Sequence, residues 1–198
     1  LQVRGHFGGI TVSTLAEARV FSESGFRDIT YAVPITPSKL EEVEKLARSI
    51  DFLGILIDHE QVLKELEAFA KARNTIFSVF LKVDCGYHRA GVDPRSEESI
   101  KLALRLESSF FIKFMGILTH AGHSYDCAGP AAIRAVAEQE RVEMSGFASR
   151  LEKVGVLVQE VSIGSTPTMS LTESLSDVTE ARPGNYAFYD RFQASIGS

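Results

Sequence analysis

At 198 residues, with 44% hydrophobic and 24% charged side chains, the chain has an ordinary globular composition, large enough for one sizeable core and short for two. A net charge of −5, from 21 basic and 26 acidic residues without long runs of either sign, excludes the basic footprint of a nucleic-acid binder; an anionic ligand would need a local positive pocket. Cys85 and Cys127 lack CxxC spacing, no apolar run approaches the ~18 residues of a membrane span, and no signal segment opens the sequence, so a single domain in a reducing cytoplasm is expected.

Strand and helix periods alternate along the chain. "GITVS" reads as a strand, followed by the helix "STLAEARVFSESG", with capping-box spacing from Thr14 to Glu17 and a closing Gly25. "DITYAVP" is the second strand. "TPSKLEEVEKLARSI" repeats the capping device with Ser38 and Glu41 and puts Leu40, Val43, Leu46, Ala47 and Ile50 on one face. After the strand "FLGILID", "DHEQVLKELEAFAKAR" offers Asp58 as cap and Val62, Leu66, Phe69 and Ala70 as stripe. "IFSVFLKVD" and the helix "RSEESIKLALRLESS" follow, then "FMGILTH" and the long helix "GPAAIRAVAEQERVEMSGFASRLEKVG", with Pro130 in its first turn. "VQEVSIGS" and "VTEARPGNYAFY" complete seven strands and five helices.

Strands apolar on both faces are parallel strands covered by helices, which leaves a barrel or a doubly wound sheet. No GxGxxG follows a strand, and the unusual polar residues Asp58, Asp84, His120, Ser165 and Arg182 each come just after one, as at the C-terminal rim of a (β/α)8 barrel. The expected fold is therefore a TIM-type barrel over residues 1–198. With seven strands, and "LQVRGHFG" reading as the tail of a preceding unit, its first βα unit is expected to be missing.

Four stretches could carry chemistry. In "DCGYHRAGVDP", Gly86 and Gly91 bracket a bend that could bring Arg89 over the barrel mouth, where its fork suits a phosphate, a carboxylate or a phenolate; a surface pairing with Asp84 or Asp93 stays open. In "THAGHSYDC", His120, His123 and Asp126 lack the spacing of a metal site, while His120 could lie against a ring and Tyr125 could serve as a second aromatic or an acid/base. "SIGSTPT" presents Gly164, Ser165 and Thr166 as a small-anion nest. "ARPGNYAFYD" sets Gly184, Asn185 and Tyr186 after the Pro183 turn, where barrel enzymes build phosphate sites.

In this order and spacing, "KVDCGYHRAGV", "ILTHAGHSYD", "VSIGSTPT" and "RPGNYAFYD" resemble the alanine-racemase-like barrel of fold-type III pyridoxal-phosphate enzymes, in the branch of D-threonine aldolases and metal-dependent D-serine dehydratases. The resemblance covers essentially the whole chain. It implies that Arg89 bonds the cofactor's phenolic oxygen, that His120 or Tyr125 packs on its ring, and that Gly164, Ser165, Thr166, Gly184, Asn185 and Tyr186 hold its phosphate. Arg182 matches the arginine that approaches the pyridine nitrogen in alanine racemases, and Lys82 matches a lysine that orients the arginine in some of them; Lys82 is read here as structural.

The resemblance also implies parts not found in these residues. The Schiff-base lysine belongs to a stretch ahead of the sequence, since Lys39, Lys45, Lys64, Lys71, Lys101, Lys113 and Lys153 fall off the rim. The β-rich C-terminal domain with the ligands of a divalent metal, zinc or manganese, would follow Ser198. The expectation is a barrel portion, inactive alone, of a homodimeric cytoplasmic lyase acting on small D-β-hydroxy amino acids by aldol cleavage or dehydration. A non-catalytic pyridoxal-phosphate carrier, a racemase of the same fold and a barrel for another phosphorylated metabolite are the alternatives.

Overall fold

The computed structural model describes residues 8–198. Its seven strands, β1 (Ile10–Val12), β2 (Asp28–Pro34), β3 (Phe52–Ile57), β4 (Phe77–Lys82), β5 (Ile112–Leu118), β6 (Glu160–Ile163) and β7 (Glu180–Ala181), are all parallel and pair in sequence order. Every crossover among β1 to β6 carries a helix: α1 (Leu15–Glu23), α2 (Leu40–Ala47), α3 (Glu60–Arg73), α4 (Glu97–Ser108) and α5 (Pro130–Lys153). Two short helices, α6 (Thr166–Leu171) and α7 (Arg191–Ile196), end the chain.

Alternation along the strands separates two apolar layers. Ile55, Ile57, Val79, Leu81, Phe114 and Ile117 join the main core beneath the helices. Their neighbours Leu56, Phe80, Met115 and Leu118 form a smaller cluster on the opposite face, with Ala32 and Phe52 against it. The sheet curls around that second face, because Thr11 and Val12 of β1 line the same cavity as Ser165, Arg182 and Asn185 beyond β6 and β7. Among the described residues β1 does not pair with β7, and the result is an α/β fold built on a curled parallel half-barrel.

The helix signals hold where the cap is local. Thr14 and Glu17 make the reciprocal bonds of a capping box, 3.0 and 2.9 Å, and Pro130 opens α5. Ser38 does not cap α2: Pro37–Lys39 forms a 3-10 turn, and Lys39 takes the cap position without a side-chain bond. Asp58 does not cap α3 either. His59 Nδ1 accepts the Gln61 N–H at 3.1 Å, and the Asp58 carboxylate accepts instead from Gly91 N, also 3.1 Å, tying the end of β3 to the Arg89 bend.

The expected last strand shrinks to Glu180–Ala181, because Pro183 has no N–H for a ladder and Asp190 caps α7 through Gln193 N at 3.1 Å. Ser165, read as part of an anion nest, is also the cap of α6, with Pro167 in its first turn, a helix too short for periodicity to announce. The reading of "LQVRGHFG" as the tail of a preceding unit lies, Gly8 apart, outside the described residues. Cys85 and Cys127 are free thiols, and among the described residues no helix is long and apolar enough to cross a membrane.

Candidate active site

Asp58, Asp84, His120, Ser165 and Arg182 all lie at or just beyond the C-terminal ends of their strands. There a cavity of about 610 Å³ opens, bordered by Lys82, Arg89, His120, Tyr125, Ser165 and Asn185. A second cavity, about 530 Å³, lies outside the sheet between the starts of α3 and α4; its border mixes Asp58, Glu60, Asp93 and Glu98 with Lys101 and Arg105, which pair with Glu98 and Glu60. The rim cavity is the one that gathers the predicted site.

The Arg89 bend is shaped by carboxylates and glycines. Asp84 accepts from Gly86 N and His88 N, both 2.9 Å, and meets His88 Nδ1 at 2.9 Å; burial works against its charge, but these bonds win and hold its pKa below the ordinary value. Asp93 accepts from Arg95 N at 2.9 Å. Both carboxylates that a surface Arg89 could have paired with are thus engaged elsewhere, and the guanidinium lies over the Tyr87 ring at 4.9 Å. Tyr87 packs so closely on the β5 loop that a side chain at Gly122 would begin 2.2 Å from its ring. Gly91, at φ +116°, is equally constrained: a Cβ there would stand 2.5 Å from the Val83 carbonyl carbon.

His120 donates through Nδ1 to the Gly164 carbonyl at 3.0 Å, since the carbonyl can only accept. Burial pushes its pKa down to about 4; the Gly164 bond opposes this and Arg182 adds to it. Tyr125 lies 6.3 Å from His120 between ring centres and stacks on Phe192 of α7 at 6.3 Å and 19°. His123 is turned elsewhere. It packs on Tyr87 at 6.3 Å with both ring nitrogens buried and unbonded. Among the described residues no group of three His, Cys, Asp or Glu side chains is placed to hold a metal ion.

On the other wall, Ser165 Oγ bonds Ser124 Oγ at 2.8 Å and Thr168 Oγ1 at 3.0 Å. Thr166 Oγ1 accepts from Asn185 N and Tyr186 N at 2.8 and 3.2 Å, so the two stretches read separately as anion-binding loops are bonded to each other. Gly184 has open space where a Cβ would stand, and the Tyr186 ring is exposed and does not line the cavity.

Two cations sit deeper. Arg182 is bound into the sheet, donating to Ser162 Oγ at 2.6 Å, to Ser162 O at 3.3 Å and to Thr119 O, with Glu180 at 3.3 Å. Lys82, only 4% exposed, ends β4 and lines the cavity; burial lowers its pKa to about 7, helped by Arg182 and Arg89.

The family model of the alanine racemase N-terminal domain matches residues 2–191. The chain belongs to the alanine racemase N-terminal domain family. Within this family it is 41% identical over 201 residues to the D-serine dehydratase of Dictyostelium discoideum, covering 96% of this chain and 51% of that protein. It is 36% identical to the D-threo-3-hydroxyaspartate dehydratase of Delftia sp. HT23 over 96% of this chain and 50% of the relative. The solved structure of the Delftia enzyme superposes with a TM-score of 0.91, covering 99% of this chain and 52% of that one. D-threonine aldolase from Filomicrobium marinum, at 20% identity and a TM-score of 0.90 over 100% of this chain and 53% of that one, shows the shared fold. The chain thus spans about half the length of these family members.

Two residues at or behind the cavity were not counted among the site residues in the sequence reading. Lys82, read as structural, lines the cavity; its signal was a lysine closing an otherwise apolar strand. Glu140 lies fully buried on α5, where Ile133, Ala137, Met144 and Phe147 make the apolar stripe, and its interruption of that stripe was the available signal.

Proposed function

We propose that this chain is the barrel portion of a pyridoxal-phosphate-dependent lyase acting on D-β-hydroxy amino acids. The observation that carries the reading is the charge of the rim cavity: in a chain of net charge −5, Lys82 and Arg89 both border one pocket together with His120 and the Ser165–Thr166 turn. A pocket with three basic side chains, Lys82, Arg89 and Arg182, against the single carboxylate of Glu17, with hydroxyls and a neutral imidazole, fits a phosphorylated, phenolic, aromatic ligand.

When bound, pyridoxal phosphate withdraws electrons from the Cα of an amino acid joined to it, easing loss of a Cα substituent. The chain's own residues would bind and orient it. Arg89 would offer its fork to the phenolic oxygen; His120, with Tyr125 beside it, would pack on the ring. Ser165, Thr166, Gly184 and Asn185, which border the cavity, would hold the phosphate, with Gly164 and Tyr186 shaping that wall from behind. His120, uncharged at neutral pH, could take a proton at Nε2, and the Tyr125 hydroxyl could give one.

Dehydration is favoured over aldol cleavage because the relatives at 41% and 36% identity are both dehydratases. A divalent cation, zinc or manganese, would grip the β-hydroxyl from ligands outside this chain; a point mutant of the Delftia dehydratase has been solved in a metal-free form. Lys82 is the lysine that lines the cavity among the described residues. The lysine joined to the cofactor would come from outside residues 1–198, leaving this portion inactive alone. A cytoplasmic homodimer completes the reading.

The test is an absorbance scan from about 300 to 500 nm with pyridoxal phosphate and borohydride, on the 198-residue chain and on a chain extended at its start. A band near ~420 nm trapped by borohydride in the extended chain alone supports the proposal and directs assays to D-serine and D-threo-3-hydroxyaspartate. A trapped band in the 198-residue chain overturns the external lysine. No band in either overturns the cofactor.

A further inference from the structure

Glu140 sits where helix packing alone would place an apolar side chain. It lies three and four residues from Ala137 and Met144 and seven from Ile133 and Phe147, all buried on the inner face of α5, and it is itself 0% exposed. A carboxylate there costs several kcal/mol in lost solvation unless polar partners replace the water. Its partners are specific. Oε1 accepts from Ala121 N at 3.1 Å and from Gly164 N at 3.0 Å, and Oε2 accepts from the Thr168 hydroxyl at 3.1 Å.

These three groups belong to the two walls of the rim cavity. Ala121 follows His120. Gly164 is gripped from both sides, its N–H by Glu140 and its carbonyl by His120 Nδ1, in a backbone conformation (φ +124°) that lets both ends be used. Thr168, with its proton on Glu140, accepts the Ser165 N–H at 3.0 Å and so fixes the turn that presents Ser165 and Thr166. One carboxylate therefore joins the end of β5, the end of β6 and the first turn of α6.

We infer that Glu140 is a positioning residue, whose carboxylate sets the His120 wall of the pocket against the Gly164–Thr166 wall. It does not line the cavity and acts through the groups it holds. The nature of the ligand held between the walls rests on the function proposed above; the bracing itself does not.

The experiment compares Glu140→Leu, which removes all three contacts, with Glu140→Gln, whose amide oxygen still accepts both N–H groups. The first readout needs no cofactor: long-range ¹H–¹⁵N correlation spectra of labelled histidine report which nitrogen of His120 carries the proton. The expected result is a pure Nδ1–H tautomer in the wild type, a mixture in Glu140→Leu, and the wild-type form in Glu140→Gln. The second readout is affinity for pyridoxal phosphate and for inorganic phosphate, expected to fall about tenfold in Glu140→Leu and to be largely retained in Glu140→Gln.

A folded Glu140→Leu with the wild-type tautomer and affinities would reduce Glu140 to packing. If Glu140→Leu does not fold, Thr168→Val decides: weaker phosphate binding with an unchanged His120 tautomer supports the bracing, and unchanged binding overturns it. A shifted tautomer in a protein that never binds pyridoxal phosphate would sink the cofactor reading and leave the bracing standing.

Discussion

His120 Nδ1 and the Gly164 carbonyl oxygen stand 3.0 Å apart, so the end of β5 is bonded to the end of β6 through an imidazole whose proton is assigned to Nδ1 and whose Nε2 is left as a lone pair. Burial depresses the folded pKa to about 4 from 6.5, and the neutral ring is the form the fold prefers. The unfolded chain therefore binds more protons between these values. His120's contribution is present above pH 6.5, is lost as pH falls towards about 4, and amounts to ~3 kcal/mol. Denaturation at pH 7 and pH 4.5 should show this loss in the wild type and a smaller one in His120→Gln, in which no imidazole can take up the proton.

Lys82 makes the opposite kind of prediction, about ligand rather than fold. Its amine, lowered to about 7 by burial, loses its charge as pH rises through neutrality, and the cavity loses one of its cations. Sulfate, whose own charge is constant over this range, is the clean probe. Its affinity should fall about tenfold between pH 6 and pH 8.5 in the wild type. In Lys82→Met it should be weak and flat across the same range, and isothermal titration would show both. The same substitution should raise stability at pH 6, where a buried ammonium is replaced by a side chain of similar length.

Lys82 also shows where sequence reading stops. Strands buried on both faces announced themselves as unbroken apolar runs, and the rim residues followed because each run ends in a polar group. What the run does not say is which way its last side chain points, and that decides whether Lys82 is scaffold or site. Asp58 and His59 are adjacent and both can cap; the choice was made by Gly91, 33 residues away, which bonds the Asp58 carboxylate. "VTEARPGNYAFY" is rich in residues that favour strands, yet Pro183 and the Asp190 cap outweighed them. Glu140 was hidden by the strength of its helix, since one carboxylate does not disturb a 24-residue period.

Gly91 carries a prediction about backbone. At φ +116°, with the Val83 carbonyl carbon 2.5 Å from where a Cβ would stand, Gly91→Ala pays for both an unfavourable dihedral and a collision. The expected loss is about 2–4 kcal/mol in denaturant unfolding. Asp58→Asn keeps an oxygen that can accept from Gly91 N, so it should cost under ~1 kcal/mol. If the alanine is tolerated as well as the asparagine, the bend is not as tightly fixed as its geometry indicates.

Arg89 separates the two ends of the proposed ligand. It is exposed and leans on the Tyr87 ring, so Arg89→Ala should change stability by less than ~1 kcal/mol. A fork placed for the phenolic oxygen contributes to pyridoxal phosphate and not to a free anion in the phosphate subsite. Arg89→Ala should therefore weaken pyridoxal phosphate about tenfold while leaving sulfate affinity within about twofold. Arg89→Lys should recover only part of the loss, because an ammonium reproduces the charge and not the planar pair of donors. Equal losses for both ligands would move Arg89 to the phosphate, and the ring would then have to lie the other way round in the cavity.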